Sequence, residues 1–311
     1  MKKLLLLILA GGVLGGGAYL AQHYDLEGLK KLQFLPRSSK RAYAGDREAG
    51  RVEGAVRVAV YRLAPWDDSQ ADDAQLIDLL AESVGRFDVT ALVGLHSAEH
   101  LLTRLTARLS AAGRNYEYAL GPLVGAEGER QRFAFVYDAQ TLLLDRSRLY
   151  TVRDPDNLLS ADPLVGWFRA LGPDPKAAFT FSLVAANVSP RRADSELAAL
   201  EQTLRAVRQD GREEDDVILA LSLPEGQSSL GPLEWLPQGS VAPAAGRATG
   251  IHGNERLDAL VFQTSATLEY FGHSGVLDLV RTLNLTTQQV ERLSPRLPVW
   301  ADFTAVEALG Q

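Results

Sequence analysis

The sequence predicts an α+β domain of four layers, α/β/β/α, in which two mixed β-sheets stack face to face and helices flank them. Three observations lead there. Strand and helix patterns alternate at the start of the domain, paired strands follow, and the alternation then returns. Apolar runs such as Val217–Leu223 are too short for helices and too apolar for solvated edges, so they read as strands packed on both faces. After Ala55 there is neither a repeat period nor a second domain boundary.

Met1-Lys2-Lys3 precedes an apolar run from Leu4 to Ala21, so residues 1–21 read as a signal peptide or an N-terminal membrane anchor. On either reading the domain is exported: membrane-anchored if the segment is retained, periplasmic or secreted if it is cleaved, with Lys2 and Lys3 on the cytoplasmic side. Residues 22–54, with Pro36 in an Arg/Lys/Ser/Gly mixture, read as a flexible connector, and 55–305 as the folded domain.

Within the domain, Val56, Val58 and Val60 alternate as a first strand. Apolar spacing over Asp72–Val84 predicts a helix with one buried face, and Val89–Leu95 a second buried strand. Ser97 is placed to cap a helix carrying His100, Leu101, Leu102, Leu105 and Leu109. Strands are expected at Tyr116–Leu120, Arg132–Tyr137, Val165–Ala170 and Phe179–Ala186, with shorter ones at Leu142–Leu144 and Leu149–Val152. Glu196–Gln209 follows as a helix. Pro224, which has no N–H for a ladder, ends the next strand. Gln227–Gly253 is rich in Gly, Pro and Ser and reads as a long loop. Leu257–Gln263 and Thr267–Tyr270 are expected as strands, Val276–Leu283 and Thr286–Leu293 as short helices, and Leu297–Phe303 as the closing strand.

The 311 residues are 46% hydrophobic and 23% charged, which suits a sizeable core. A net charge of -7 and the lack of any dense Lys/Arg cluster argue against strong nucleic-acid binding. The sequence has no cysteine, which excludes disulfides, thiolate metal sites and cysteine nucleophiles.

Several segments carry a family resemblance. Gln131-Arg132-Phe133-Ala134-Phe135-Val136-Tyr137-Asp138, Asp162-Pro163-Leu164-Val165-Gly166-Trp167-Phe168, Val217–Pro224 and Ser294–Phe303 follow one another in the order of framework strands of the endonuclease/exonuclease/phosphatase superfamily. The chain resembles that superfamily, of deoxyribonuclease I-like fold, over roughly Val56 to Phe303.

The resemblance implies where an active site would lie. Tyr61 stands at the asparagine that ends the family's first strand, and Leu95 at its metal-binding glutamate. Asn187 stands at a phosphate-contacting histidine, and Ser222 and Pro224 at an Asp-x-Asn pair. Pro295 and Arg296 stand at the closing Asp-His pair, and only Asp258 keeps the family's residue type. Magnesium wants hard oxygen ligands, which Leu95 lacks, and neither proline nor arginine can act as an oriented histidine. The expectation is a domain without an intact catalytic set, metal or cofactor, which binds an unknown protein, an envelope partner or an anionic ligand. Asp258, Arg296 and Asn187 are its candidate ligand-binding residues. The alternative is a divergent Mg²⁺-dependent phosphodiesterase or phosphatase rebuilt around Asp258 with Glu225, His252 or Asn187; Glu225, just after the β-strand that Pro224 ends, together with His252 and Glu255 ahead of Asp258, could form a displaced metal site.

His96-Ser97-Ala98-Glu99-His100 matches a zinc-protease pattern, yet His96 falls at a strand exit rather than on the helix that pattern needs. Asn187 and Asn284 lie in glycosylation sequons but read as element ends, and neither is assigned a sugar. Trp167, Trp235 and Trp300 read as core or loop aromatics, and Arg191-Arg192 as a solvated loop.

Overall fold

A computed structural model describes residues 52–308, apart from Pro65, Asp67, Ser97, Ala112, Gly128, Glu213, Ser228, 236–239, 242–247 and 253–257. The signal or anchor segment, nearly all of the connector, the Ser97 cap and Glu255 therefore lie outside the described residues. Among the described residues no helix is long and apolar enough to cross a membrane.

The chain runs β1 (Ala55–Arg62), α1 (Asp68–Asp72), α2 (Ala74–Val84), β2 (Val89–Leu95), α3 (Glu99–Ser110), β3 (Tyr116–Leu120), β4 (Arg132–Asp138) and β5 (Leu142–Thr151). It continues with β6 (Leu164–Ala170), β7 (Thr180–Asn187), α4 (Ala193–Arg208), β8 (Val217–Ser222), a 3₁₀ turn (Gly231–Trp235) and β9 (Ser240–Val241). It closes with β10 (Asp258–Gln263), β11 (Tyr270–Val276), α5 (Leu279–Thr282), α6 (Thr287–Leu293) and β12 (Val299–Thr304). One six-stranded sheet has the order β11-β12-β1-β2-β4-β3 and the other β5-β6-β7-β8-β10-β9. β1–β2 and β7–β8 pair in parallel, and the other pairs are antiparallel.

Strand alternation sorts the side chains into layers. Val56, Val58 and Val60 of β1 face the second sheet, where they join Phe135, Phe168, Phe181 and Phe303 in the central core. Phe168, Phe181, Phe179 and Phe303 stack in a column with centroids 5.4, 5.0 and 5.7 Å apart. A Cβ on Gly166 would stand 2.9 Å from the Phe135 ring, so this close approach of the two sheets requires glycine. On the outer face of the first sheet, Leu76, Leu80, Leu101 and Leu105 of α2 and α3 cover Tyr61, Leu92 and Leu95. On the outer face of the second, Leu197, Leu200 and Leu204 of α4 cover Val217, Leu219 and Leu221. The predicted four-layer architecture is present.

Several boundaries differ from expectation. β5 is one strand whose register shifts between Asp145 and Tyr150, where two short strands were expected. The strand expected at Thr267–Tyr270 begins only at Tyr270, because Gln263 to Thr267 is a turn closed by Thr267 N–H on the Gln263 carbonyl at 2.8 Å. α5 begins at Leu279 rather than Val276, where the Asp278 side chain accepts the Arg281 N–H at 3.1 Å and caps it. The loop expected over Gln227–Gly253 holds the 3₁₀ turn and β9.

Candidate functional site

The site is built at the ends of β1, β2, β7 and β8, the start of β10 and the approach to β12. Arg62 continues the inward stripe of Val56, Val58 and Val60, so a charged residue enters the gap between the sheets. Its Nη1 donates to Asn187 Oδ1 at 2.8 Å and approaches Ser222 Oγ at 3.5 Å. Asn187 Nδ2 in turn donates to Gln131 Oε1 at 3.2 Å. Arg62, Gly94, His96, Gln131, Asn187 and Ser189 line a cavity of about 230 Å³, with Glu129 and Ser160 also in its wall. Glu196, buried in the first turn of α4, fixes that wall by accepting the Ser160 N–H at 3.0 Å and the Ser189 N–H at 2.9 Å.

Behind Arg62 lies a second guanidinium. Arg296 Nη1 donates to Leu223 O at 2.7 Å, to Ser222 Oγ at 2.9 Å and to Asp258 Oδ1 at 3.1 Å. Arg296 is 5% exposed and Asp258 4%, so the ion pair is closed to solvent. The pairing follows from the sheet: Asp258 is the register partner of Ser222, and the bridge between Gly250 and Arg296 holds the arginine against their ends. Burial pushes the Asp258 carboxyl above the usual carboxylate range, and the charges of Arg296 and Arg62 pull it back. Burial lowers the basicity of Arg62, the charge of Arg296 acts in the same direction, and Asp258 and Glu225 oppose both.

Not every expected residue reaches the cavity. Tyr61 packs into the helix-side cluster, and its neighbour Arg62 takes the inward place; a one-residue offset along a strand exchanges faces. The Tyr61 hydroxyl has no hydrogen-bond partner among the described residues, and burial, reinforced by the Asp258 charge, raises its pKa. Leu95 likewise faces the helices. The register of β2 shifts between Leu92 and Leu95, Gly94 adopts φ 78°, and it is Gly94 that lines the cavity. A Cβ there would stand 3.6 Å from Arg62. Asn187, Ser222, Asp258 and Arg296 lie together, joined through the two guanidiniums. Pro224 is buried just beyond β8, and the carbonyl of Pro295 accepts the Ile251 N–H at 3.0 Å.

Of the residues weighed as a rebuilt metal site, Asn187 lines the cavity, whereas Glu225 and His252 form no ligand group with Asp258. Glu225 is exposed, and His252 pairs with Glu291. Among the described residues, no group of three His, Cys, Asp or Glu ligand atoms includes Asp258. His96 sits in a bend with Nδ1 3.1 Å from the Gly94 carbonyl, whereas His100 lies on α3 and pairs with Asp72 at 2.9 Å, so the two do not share a helix. Arg62 and Gln131 were missed from the sequence. A charge continuing an otherwise valine-lined inward stripe was the signal for Arg62; Gln131 offered none.

No family model matches the chain. Deoxyribonuclease-1-like 1 of Sus scrofa is 24% identical over 269 residues, spanning 82% of this chain and 83% of that protein. Deoxyribonuclease gamma of Homo sapiens is 20% identical over 171 residues, 53% of this chain and 55% of that protein. Among solved structures, the human Nocturnin catalytic domain superposes with a TM-score of 0.55 at 13% identity, covering 82% of this chain and 96% of that one. The endonuclease/exonuclease/phosphatase from Bacteroides vulgatus gives a TM-score of 0.54 at 12% identity, covering 82% and 99%. With two stacked mixed sheets and these neighbours, the chain has the deoxyribonuclease I-like fold of the endonuclease/exonuclease/phosphatase proteins, and its sequence is similar to deoxyribonucleases.

Proposed function

We propose that this chain is a non-catalytic member of the endonuclease/exonuclease/phosphatase superfamily: an exported domain, anchored or released by residues 1–21, that binds an anionic group of a protein or envelope partner in the Arg62–Asn187 cavity. One observation carries this reading, the Arg296 guanidinium held 3.1 Å from Asp258. Asp258 is the acid that the resemblance assigns to the family's site. A guanidinium keeps its proton at any ordinary pH, so it cannot serve as a general base. Bound to one oxygen of Asp258, it also sets a fixed positive charge against the carboxylate, where a divalent ion would have to sit.

The residues do not fit a magnesium centre. Magnesium asks for near-octahedral oxygen ligands, commonly with one or two carboxylates. Beside the two arginines stand one buried carboxylate already in an ion pair, the Ser222 hydroxyl and the Asn187 and Gln131 amides; Glu129 and His96 also line the cavity, but among the described residues neither forms a three-ligand group with Asp258, and Gly94 and Leu95 contribute no side-chain oxygen. The positive charge instead favours an anion. Arg296 lowers the basicity of Arg62, so a phosphate-type group in the cavity relieves repulsion between the two guanidiniums. The -7 net charge argues against tight binding of long nucleic acids.

The test incubates the full chain with DNA and with a chromogenic phosphodiester, each with Mg²⁺ or Mn²⁺. The expected result is no turnover above the buffer rate. Metal-stimulated turnover that disappears in Asp258→Ala would overturn the reading. Cell fractionation with mass determination of the mature N-terminus tests export and cleavage separately.

A further inference from the structure

The strand that ends at the arginine pocket begins in chemistry of the opposite sign. β8 spans six residues, roughly 20 Å at about 3.3 Å per residue, and Asp216 immediately precedes it. Glu269 immediately precedes β11, and Glu307 lies just past β12. Backbone bonds draw these segments together: Thr304 N–H donates to the Glu269 carbonyl at 2.9 Å, and Thr180 N–H to Glu307 Oε2 at 3.2 Å. One oxygen from each of the three carboxylates lies within 4.8 Å of the others.

Acidic clusters at a surface are common and mean little. This one is buried: Asp216 is 1% exposed and Glu269 2%. Asp216 Oδ1 and Glu269 Oε2 have no hydrogen-bond partner among the described residues, although each side chain is enclosed. The other Glu269 oxygen accepts the Ala308 N–H at 2.7 Å, so that carboxylate is held in place with its second oxygen available. Burial acts most strongly on Asp216, the nearby Thr267 hydroxyl opposes it, and the charges that act on it, those of Glu269, Glu214 and Glu307, are all of its own sign. Arg208 senses Asp215 and Asp216, but its Nε donates to the Asp215 carbonyl at 3.2 Å. Buried carboxylate oxygens left this way are costly unless a proton or a cation neutralises them.

We propose that Asp216, Glu269 and Glu307 form a binding site for a hard divalent cation, calcium being the best match. Calcium takes six to eight oxygen ligands at about 2.3–2.6 Å, so oxygens on opposite sides of it stand about 5 Å apart. The three oxygens, all within 4.8 Å of one another, fit inside that sphere, and calcium tolerates irregular carboxylate geometry where magnesium demands a near-ideal octahedron and retains its waters. The ion ties the start of β8 in one sheet to the start of β11 and the end of β12 in the other, at the margin remote from the arginine pocket. Protons are its competitors: burial, then the charge of Glu269, pushes Asp216 up to about 9 and Glu307 up to about 7. Binding therefore releases protons.

The test strips the full chain with a chelator, exchanges it into chelator-free buffer at about pH 8 and titrates it calorimetrically with CaCl₂, MgCl₂ and MnCl₂. The expected result is a single saturable calcium site, proton release into the buffer and a thermal midpoint that rises with calcium. Glu307→Gln, at a partly exposed position near the chain's end, is expected to weaken binding at least about tenfold and to reduce the midpoint shift by mass action. Glu269→Gln is expected to do the same. If that variant fails to fold, the parent chain and Glu307→Gln decide. Absence of both heat and midpoint shift with all three cations overturns the site, and so does unchanged calcium affinity in Glu307→Gln.

Discussion

Arg296 meets Asp258 at the end of the second sheet, its Nη1 donating 3.1 Å to the carboxylate while the same nitrogen also donates to Ser222 Oγ and Leu223 O. A buried ion pair is not itself a large source of stability, but removing one partner strands the other. Arg296→Met is expected to cost about 3–5 kcal/mol in chemical denaturation, because it leaves a carboxylate enclosed without its counter-charge. The double variant Arg296→Met with Asp258→Leu is expected to recover much of that loss. The sign and size of the coupling in a double-mutant cycle check it.

Arg62 is expected to carry ligand affinity. Arg62→Met keeps the aliphatic stem and removes the donor that holds Asn187 at 2.8 Å. Titration with inorganic phosphate or a short phosphodiester is expected to show at least about tenfold weaker binding, of the order set by losing one charge-assisted hydrogen bond. Equal affinity in parent and variant would remove Arg62 from the binding site.

The sheet register makes a prediction about Leu95. A glutamate there would restore the residue type that the resemblance assigns to metal binding. The Leu95 side chain, however, faces Leu101 and Leu105 rather than the cavity. Leu95→Glu is expected to lower the thermal midpoint and to create no Mg²⁺ affinity, since it buries an unpaired charge among leucines. Differential scanning calorimetry with and without magnesium distinguishes the outcomes.

Gly166→Ala tests the close approach between the sheets. The added Cβ would stand 2.9 Å from the Phe135 ring. Overpacking of this kind costs about 1–3 kcal/mol. Urea denaturation is expected to show a lower midpoint with an unchanged slope.

The acidic end of β8 gives stability a pH dependence in chelator. The folded-state pKa of Asp216 is raised to about 9 and that of Glu307 to about 7. The folded domain therefore binds more protons than the unfolded chain between about pH 4 and those values, and stability falls as pH rises through that window. Midpoints are expected to be higher near pH 5 than near pH 8, and Asp216→Asn is expected to flatten the slope. A midpoint that climbs across this range contradicts the assignment.

The layers were legible in the sequence because burial writes periodicity. Val56, Val58 and Val60 alternate, α4 repeats leucine on one face, and β8 is apolar throughout. Side-chain direction at strand ends was not legible, since a one-residue offset or a glycine-centred register shift exchanges the two faces. That is why Tyr61 and Leu95 were assigned to the cavity while Arg62 and Gly94 occupy it. The acidic cluster was hidden for another reason. Asp216, Glu269 and Glu307 are far apart in sequence and meet only through the pairing of β11 with β12 and the contact of Thr180 with the chain's end.

β8 is wholly enclosed and short, with two arginines gathered at one end and acids at the other. Sites separated by roughly 20 Å and sharing no side chain respond to substitution independently. An engineer could thus remodel ligand choice at one terminus of this strand while treating the opposite terminus as a separate clasp, tuned for thermal endurance alone.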